Sequence, residues 1–292
     1  MVAAWLLERL CCPRCRQGKL AEIAGALSCA CGARYRVDRG VADLLEAAPS
    51  AVRAERAAVE AIDRGEASLG ERDPAAARER HLRRTRAELE EVLERLELPA
   101  GSVVVELGAD DCWASSLFLA RGCRVIAVDI TDHLHLARPE ITGHADCARL
   151  RADMNRLPLA EGGVDLVVAI AAAHHSWSLP VTLAEAHRVL RPGGRLALCC
   201  EPMPSWLRHA LGRRTGKRER LLGINETWIR RGRWLRLARE AGFEARLVLP
   251  TLDRMAIRER LAERGLPPML APAAGAVLGL LQVSVHLIGR RR

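Results

Sequence analysis

The sequence predicts an α/β fold with a doubly wound, mostly parallel sheet, preceded by a small cysteine-rich module. Residues 103–130 show a strand–helix–strand pattern, and residues 164–170 form a nearly continuous apolar run that is typical of a buried parallel strand. Two close pairs of cysteines lie within the first 31 residues and predict the module. A chain of 292 residues with 49% hydrophobic residues is long enough for one large domain and one small domain.

The two cysteine pairs predict a structural zinc site. Cys12 and Cys15 are separated from Cys29 and Cys31 by 13 residues, and four thiolates complete a closed tetrahedral zinc site. A module of roughly forty residues buries too little surface to be stable without such a metal. Cys11 is a competing ligand, and the alternative interpretation is ordinary buried cysteines. Ten cysteines without a recognisable signal peptide favour metal or free thiols in a cytoplasmic protein.

The strand–helix–strand unit contains a predicted ligand site. Its first strand ends at Gly108, where a ligand can approach the backbone and the helix N-terminus. Asp129 closes the second strand 21 residues later, where a carboxylate reaches ribose hydroxyls in nucleotide-binding sheets. A dinucleotide fingerprint has two further glycines, whose places are taken here by Asp110 and Trp113. An acidic residue in this turn would repel a diphosphate, so the pattern disfavours a dinucleotide.

The unit resembles motif I of class I S-adenosylmethionine-dependent methyltransferases, where an acidic residue, here Glu106, precedes a glycine-rich turn. The cofactor of that family carries a sulfonium and an ammonium but no phosphate, so acidic residues suit it. Asp110 and Cys112 stand where the family has its second and third glycines. The resemblance covers about residues 96–242 and, more loosely, the remainder. It implies a Rossmann-like sheet of seven mostly parallel strands, with the last strand antiparallel to its neighbours.

The resemblance also implies which residues bind S-adenosylmethionine. Asp129 would bind the ribose, and Gly108 would let the methionine end approach. Asp153 would bind the adenine amino group, and Met154 would pack on the adenine ring. The full set expected to contact the cofactor is Glu106, Gly108, Asp110, Trp113, Asp129, Ile130, Asp153, Met154 and Ala169.

Two histidines are the catalytic candidates. His174 and His175 follow the apolar run at 164–170, and ligands of open α/β sheets lie at the carboxyl ends of the strands. A histidine there could act as a general base near neutral pH. The family often has a histidine pair at this position, and the alternative is that a member of the pair only packs or forms hydrogen bonds.

Residues 10–45 resemble the zinc ribbon of methyltransferase activator proteins, which is also fused to the front of some methyltransferases. The predicted organisation is a zinc ribbon over 1–45, a helical connector over 46–98 and a methyltransferase domain over 99–292. We expect the connector to form two or three helices over the cofactor edge. Its apolar stripe consists of Leu82, Leu89, Val92, Leu93 and Leu96. Its polar face, with His81, Arg83 and Arg84, is expected in solvent, and the alternative is that these side chains reach the site.

Residues 203–241 are predicted to form a substrate lid. Between 208 and 239 there are eleven Lys or Arg and two Glu, an excess that equals the net charge of +9 of the whole chain. Such a segment suits a pocket cap, an RNA-facing surface or a solvated helix face. We expect a pocket cap. The tryptophans expected to line the pocket are Trp113, Trp177, Trp206, Trp228 and Trp234.

These patterns predict methyl transfer from S-adenosylmethionine to an O, N or C atom of a small-molecule acceptor. The alternatives are an RNA base methyltransferase and a non-catalytic binding protein that retains the fold. No membrane span is expected, because the apolar stretch 266–288 contains three prolines and ends with strand-like alternation. The sequence leaves the acceptor and the oligomeric state open.

Overall fold

The computed structural model of the chain describes residues 2–45, 49–68, 74–203, 217–248 and 284–292. Across these ranges, eleven strands form one mixed sheet in the order β1-β2-β3-β4-β7-β6-β5-β8-β9-β11-β10. The strands are β1 Leu20–Ile23, β2 Ala26–Cys29, β3 Arg34–Asp38, β4 Val41–Asp43, β5 Val103–Leu107, β6 Arg124–Asp129, β7 Cys147–Arg151, β8 Val164–Ile170, β9 Leu190–Pro202, β10 Phe243–Val248 and β11 Ser284–Arg291.

Helices flank this sheet and connect its parallel strands. The α-helices of the described ranges are α1 Ala4–Leu7, α2 Ser50–Asp63, α3 Pro74–Glu94, α4 Ser115–Leu119, α5 Pro139–Thr142, α6 Leu179–Val189, α7 Lys217–Leu222 and α8 Arg231–Glu240. Two short 3-10 turns, Asp132–Leu136 and Ala173–His175, follow β6 and β8.

The seven strands β7-β6-β5-β8-β9-β11-β10 form the doubly wound part of the sheet. The strands from β7 to β9 are parallel, whereas β11 runs antiparallel to both β9 and β10. The predicted Rossmann-like sheet and its antiparallel final strand are therefore confirmed. The chain order reverses at β5, so the carboxyl ends of β5 and β8 border the crevice where such sheets bind ligands.

The doubly wound part has the predicted seven strands, but the amino-terminal strands are not separate from it and extend the same sheet to eleven strands in the described residues. β4 pairs in parallel with β7, and the backbone amide of Leu44 donates to the carbonyl of Arg151 at 2.8 Å. Arg149 is buried beneath this junction and donates to the carbonyls of Leu134 and Arg39, both at 2.8 Å. Pairing with β4 satisfies backbone groups of β7 that an edge strand would leave exposed. The sequence pattern of a strand does not reveal such a tertiary pairing.

The connector contains two helices, α2 and α3. The apolar stripe of α3 is buried at its carboxyl half and packs in one cluster with Val104, Val168 and Ala197 of the sheet. Its buried members are Leu89, Val92, Leu93 and Leu96. His81, Arg83 and Arg84 are exposed, as expected for the polar face. Helix α3 of the connector thus covers one face of the sheet over β5, β8 and β9.

Among the helices of the described ranges, none is both long enough and apolar enough to span a membrane. The end of the apolar stretch 266–288 belongs to β11. The rest of that stretch, and the part of the predicted lid at 204–216 with Trp206, lie outside the described residues.

Candidate active site

A cavity of about 280 Å³ lies at the carboxyl ends of the central parallel strands. Its walls come from the turns that follow β5, β6, β7 and β8, from one face of α2 and from Ile224. The structure brings together seven of the predicted site residues in these walls: Gly108, Asp110, Asp129, Ile130, Asp153, Met154 and His175.

The turn after β5 is built around Gly108. Its φ of +69° lies in the left-handed region, and a Cβ atom at this position would lie 2.5 Å from the Cβ of Ala172. No side chain fits there without displacing the turn after β8. The amides of Gly108 and Ala109 both donate to the carbonyl of Val128, at 2.8 and 3.1 Å. Gly108 therefore fixes the close approach of three strand ends at the cavity.

The turn keeps a left-handed backbone at the two positions where the resemblance would place glycine. Asp110 has φ +50° and Cys112 has φ +61°. This conformation costs an ordinary residue about 1–2 kcal/mol, and aspartate tolerates it better than most. Aspartate and cysteine thus stand in place of the expected glycines, and the turn keeps its left-handed conformation at both positions.

The side chain of Asp110 connects this turn to both connector helices. Its carboxylate accepts hydrogen bonds from His133 Nδ1 at 2.6 Å and from Arg78 Nη2 of α3 at 2.9 Å. His133 Nε2 lies 2.7 Å from the carboxylate of Asp63, the last residue of α2. The hydrogen bond from Asp110 and the second one from Asp63 outweigh burial and raise the pKa of His133 to about 9. A protonated His133 between two carboxylates holds the connector against the cavity.

Two further carboxylates face the cavity from the ends of β6 and β7. Asp129 accepts hydrogen bonds from the amide of Asp110 at 2.9 Å and from the amide and hydroxyl of Thr131 at 2.8 and 2.7 Å. Asp153 accepts from the amide of Asn155 at 2.8 Å and from the indole of Trp177 at 3.1 Å. Burial raises the pKa of Asp153. These bonds orient both carboxylates before any ligand is bound.

Four predicted site residues do not line the cavity. Glu106 is buried behind the turn and accepts a hydrogen bond from the Ser115 hydroxyl at 2.6 Å, and burial raises its pKa to about 8. Trp113 packs against the cluster beneath α3, and Ala169 is fully buried within β8. His174 is also buried. The structure places these four side chains behind the cavity wall.

His174 holds the turn after β8 in place through Glu201 at the end of β9. The buried carboxylate of Glu201 accepts from the backbone amides of Ala173 at 3.0 Å and His174 at 3.1 Å. It also accepts from His174 Nδ1 at 2.9 Å. The His174 ring is thereby fixed beside the ring of His175, with 4.1 Å between the ring centroids.

His175 lines the cavity and is surrounded by groups from distant parts of the chain. Its Nδ1 lies 2.8 Å from the carbonyl oxygen of Asn225, 3.1 Å from Oε1 of Glu55 on α2 and 3.8 Å from Oε2 of Glu226. Burial lowers the pKa of His175, but the two carboxylates more than offset this effect and raise it to about 8. Sequence reasoning missed Glu55 and Glu226, since neither belongs to a motif.

The tryptophans are only partly where we expected them. Trp177 lines the cavity. Trp234, a residue of α8, is fully buried in the main core on the side where α8 packs against α6. The expectation that Trp234 faces the pocket is therefore wrong, because the apolar face of α8 packs onto the sheet. The indole of Trp228 donates a hydrogen bond to the carboxylate of Glu226 at 2.8 Å. Ile224 lines the cavity and belongs to the described part of the predicted lid.

The four predicted metal ligands converge at the amino-terminal module. The sulfur atoms of Cys12, Cys15, Cys29 and Cys31 lie within 4.8 Å of one another, and all four are free of disulfides. The Cys12–Cys31 and Cys15–Cys29 sulfur distances are both 3.7 Å. Four sulfurs bound to one zinc ion at about 2.3 Å would lie about 3.8 Å apart in a tetrahedron. The donor set and its spacing therefore fit zinc.

The surroundings of the Cys15 sulfur also suit a thiolate. Hydrogen bonds from the backbone amides of Gln17 and Gly18 lower the pKa of Cys15 to about 6. A Cβ atom on Gly18 would lie 2.3 Å from the Cys29 sulfur, so only glycine fits beside the cluster. Cys11 is outside this group of sulfurs.

The central part of this chain is similar in sequence to known proteins. Residues 105–198 match the model of a family described as "Methyltransferase domain". The chain is 33% identical over 108 residues to a ubiquinone/menaquinone biosynthesis C-methyltransferase of Rubrivivax gelatinosus, which covers 37% of this chain and 42% of that protein. It is 32% identical over 109 residues to a malonyl-acyl-carrier-protein O-methyltransferase of Pectobacterium atrosepticum, again 37% of this chain and 42% of the relative. The chain thus spans less than half the length of these curated relatives.

Solved structures share the fold. A complex between a methyltransferase activator and a methyltransferase from Haloferax volcanii aligns with a TM-score of 0.55 and 20% identity, over 74% of this chain and 94% of that chain. An S-adenosylmethionine-dependent methyltransferase of Mesorhizobium loti aligns with a TM-score of 0.51 and 19% identity, over 69% and 96%. At this identity the likeness concerns the fold. Residues 105–198 thus match a methyltransferase-domain family, and the strand order and the solved structures agree with the fold of S-adenosylmethionine-dependent methyltransferases.

Proposed function

We propose that this protein transfers a methyl group from S-adenosylmethionine to a small-molecule acceptor. The observation that carries the proposal is the convergence of Gly108, Asp129 and Asp153 on one cavity, at the carboxyl ends of β5, β6 and β7. The names of two relatives, a C-methyltransferase and an O-methyltransferase, support this reaction class.

S-adenosylmethionine supplies a methyl group that is activated by the positive charge of a sulfonium. In our proposal Asp129 binds its ribose, and Gly108 leaves room for its methionine end. Asp153 binds the adenine amino group, with Ile130 and Met154 as apolar contacts. The cavity presents carboxylates to a positively charged ligand, an arrangement that favours this donor over a phosphate-bearing nucleotide.

The retained shape of the turn supports a cofactor site at this position. Asp110 and Cys112 adopt left-handed conformations although neither is glycine. In addition, His175 lines the cavity, where a general base for the acceptor would stand. We propose that His175 has this role and that His174 supports it through Glu201.

We further propose that Cys12, Cys15, Cys29 and Cys31 hold one structural zinc ion in a zinc ribbon. Four thiolates leave no open coordination position, so this ion would stabilise the fold without entering the reaction. A cytoplasmic location stays a prediction from the sequence.

The proposed reaction is tested by incubating the protein with S-adenosylmethionine labelled in its methyl group. The acceptor is supplied either as a small-molecule extract of bacterial cells or as the total RNA of the same cells. We expect label in the small-molecule products. Label found only in RNA would overturn the proposed acceptor class, and no transfer to either fraction by a protein that binds S-adenosylhomocysteine would favour the non-catalytic alternative.

A further inference from the structure

One wall of the cavity is formed by α2, a helix of the connector. Val52, Glu55 and Val59 line the cavity from positions that share one face of this helix. Glu55 is buried, although it is the charged member of this face. Its carboxylate lies 3.1 Å from Nδ1 of His175. A buried glutamate beside a cavity-lining histidine requires an explanation, because burial of a lone carboxylate is unfavourable.

We propose that Glu55 is a positioning residue that orients His175 as the general base for a weakly acidic, phenol-like hydroxyl on an apolar acceptor. This inference rests on the proposed methyltransferase function and names the acceptor class of that same cavity.

The orientation of the imidazole follows from its neighbours. The carbonyl of Asn225 and the carboxylate of Glu55 both face Nδ1 and can only accept a hydrogen bond. Nδ1 therefore carries a proton, and in the neutral ring the lone pair is on Nε2. The arrangement is that of a base held in one tautomer by a carboxylate, as in other catalytic dyads.

The lining of the cavity indicates the acceptor. Val52, Val59, Ile224 and Trp177 provide an apolar and aromatic surface around His175. Within the described part of the chain, no lysine or arginine lines this cavity, and the cationic His133 in its wall is already paired with Asp110 and Asp63. The described lining therefore offers a carboxylate acceptor no unpaired counter-charge. Glu55 and Glu226 already face His175, so they are not free to bind an ammonium group. A neutral hydroxyl on an apolar, aromatic body matches these surroundings best.

The proposed step couples deprotonation of the acceptor to methyl transfer. The acceptor hydroxyl gives its proton to Nε2 of His175, and its oxygen forms a bond to the methyl carbon of the donor. The carbon–sulfur bond breaks with its electron pair left on sulfur, which yields S-adenosylhomocysteine. Protonated His175 then releases the proton to solvent. Glu55 and Glu226 stabilise the imidazolium, whereas the neighbouring ring of His174, 4.1 Å away between centroids, is held by Glu201.

A pH profile follows from this role. The charged and titratable groups facing His175 are Glu55 on α2, Glu226 on the segment before α8 and His174 beside it. The carboxylates raise the pKa of His175 to about 8 against the effect of burial. A base works only when deprotonated, so the rate should rise with pH and level off above about pH 8. Removing the charge of Glu55 lowers the pKa of His175 and should move this rise to lower pH.

The test compares the wild type with Glu55→Gln and Glu55→Asp on a panel of phenols of differing acidity, with formation of S-adenosylhomocysteine as the readout. Glu55→Gln should lower kcat on the plateau by roughly tenfold to a hundredfold, since a fully lost general base costs about 10²–10⁴-fold. The midpoint of the pH profile should fall, and Glu55→Asp should recover part of both effects. Glu60→Gln is the matched control, because Glu60 is on the same helix but pairs with Arg56 instead of the histidine.

Binding of S-adenosylhomocysteine, measured by calorimetry in each variant, distinguishes a failure of the proposed role of Glu55 from a failure of the proposed methyltransferase function. If Glu55→Gln binds it normally and keeps both kcat and the pH midpoint of the wild type, the role of Glu55 is wrong. If the wild type methylates amines or carboxylates but no phenol, the acceptor class is wrong. If the wild type does not bind S-adenosylhomocysteine at all, the proposed function itself fails.

Discussion

The cavity has two sides, which we propose bind the methyl donor and the acceptor, and these two sides are built in different ways. On the donor side, Gly108, Asp129 and Asp153 follow three neighbouring strands within one stretch of the chain, and the carboxylates accept hydrogen bonds from nearby backbone amides. On the acceptor side, Glu55 and His175 come from segments that are 120 residues apart in sequence, and they meet through side chains. The donor side is thus formed by the ends of the sheet strands, whereas the acceptor side forms only when the connector packs against the sheet.

The largest expected effect concerns the amino-terminal module, which precedes the connector and extends the sheet through β4. Zinc binding contributes on the order of 10 kcal/mol to the folding of small metal modules. We expect roughly one equivalent of zinc in the purified protein, as a single four-thiolate site requires. Cys15→Ser should lose the metal and lower the melting temperature.

Cys11→Ser is the control for this prediction, because Cys11 is next to the cluster but outside it. It should retain the metal. Equal zinc content in Cys15→Ser and the wild type, measured by atomic emission, would show that the ligand set is wrong.

A smaller effect, confined to the donor side, is expected from Gly108→Ala. The new Cβ would lie 2.5 Å from the Cβ of Ala172, so the turns after β5 and β8 must separate. A displacement of this kind can lower the reaction rate of a precisely positioned site by about a hundredfold. We expect a loss of similar size in the affinity for S-adenosylhomocysteine.

Gly101→Ala is the matched control. Gly101 also has a left-handed backbone, with φ +82°, but no atom lies within 4 Å of its added Cβ. It should lose about 1 kcal/mol of stability from backbone strain and keep its affinity. Equal affinities of the two variants in a calorimetric titration would mean that the close approach at Gly108 does not shape the donor side.

This difference between the two sides explains what the sequence could predict. The βαβ period, the turn at Gly108 and the acid at Asp129 are local patterns, so the sheet order and the meeting of these residues at one cavity could be predicted from the sequence. Glu55 was not, because an acidic residue in a charged amphipathic helix resembles any solvated glutamate until the helix is docked. The pairing of β4 with β7 and the burial of Trp234 are likewise tertiary contacts. The cysteine spacing predicted its cluster because metal ligation leaves a fixed pattern.

The measurement that tests the central claim most directly is the affinity of S-adenosylhomocysteine for Asp129→Ala and Glu55→Gln, side by side with the wild type. A hydrogen bond to a charged group contributes about 1.5–3 kcal/mol, so Asp129→Ala should bind roughly tenfold to more than a hundredfold more weakly. Thr131→Val, which removes one hydrogen bond to Asp129 and keeps the carboxylate, should lose much less. Glu55→Gln should bind like the wild type. Undiminished affinity in Asp129→Ala would contradict the account, because the ligand would then not occupy the carboxyl edge of the sheet.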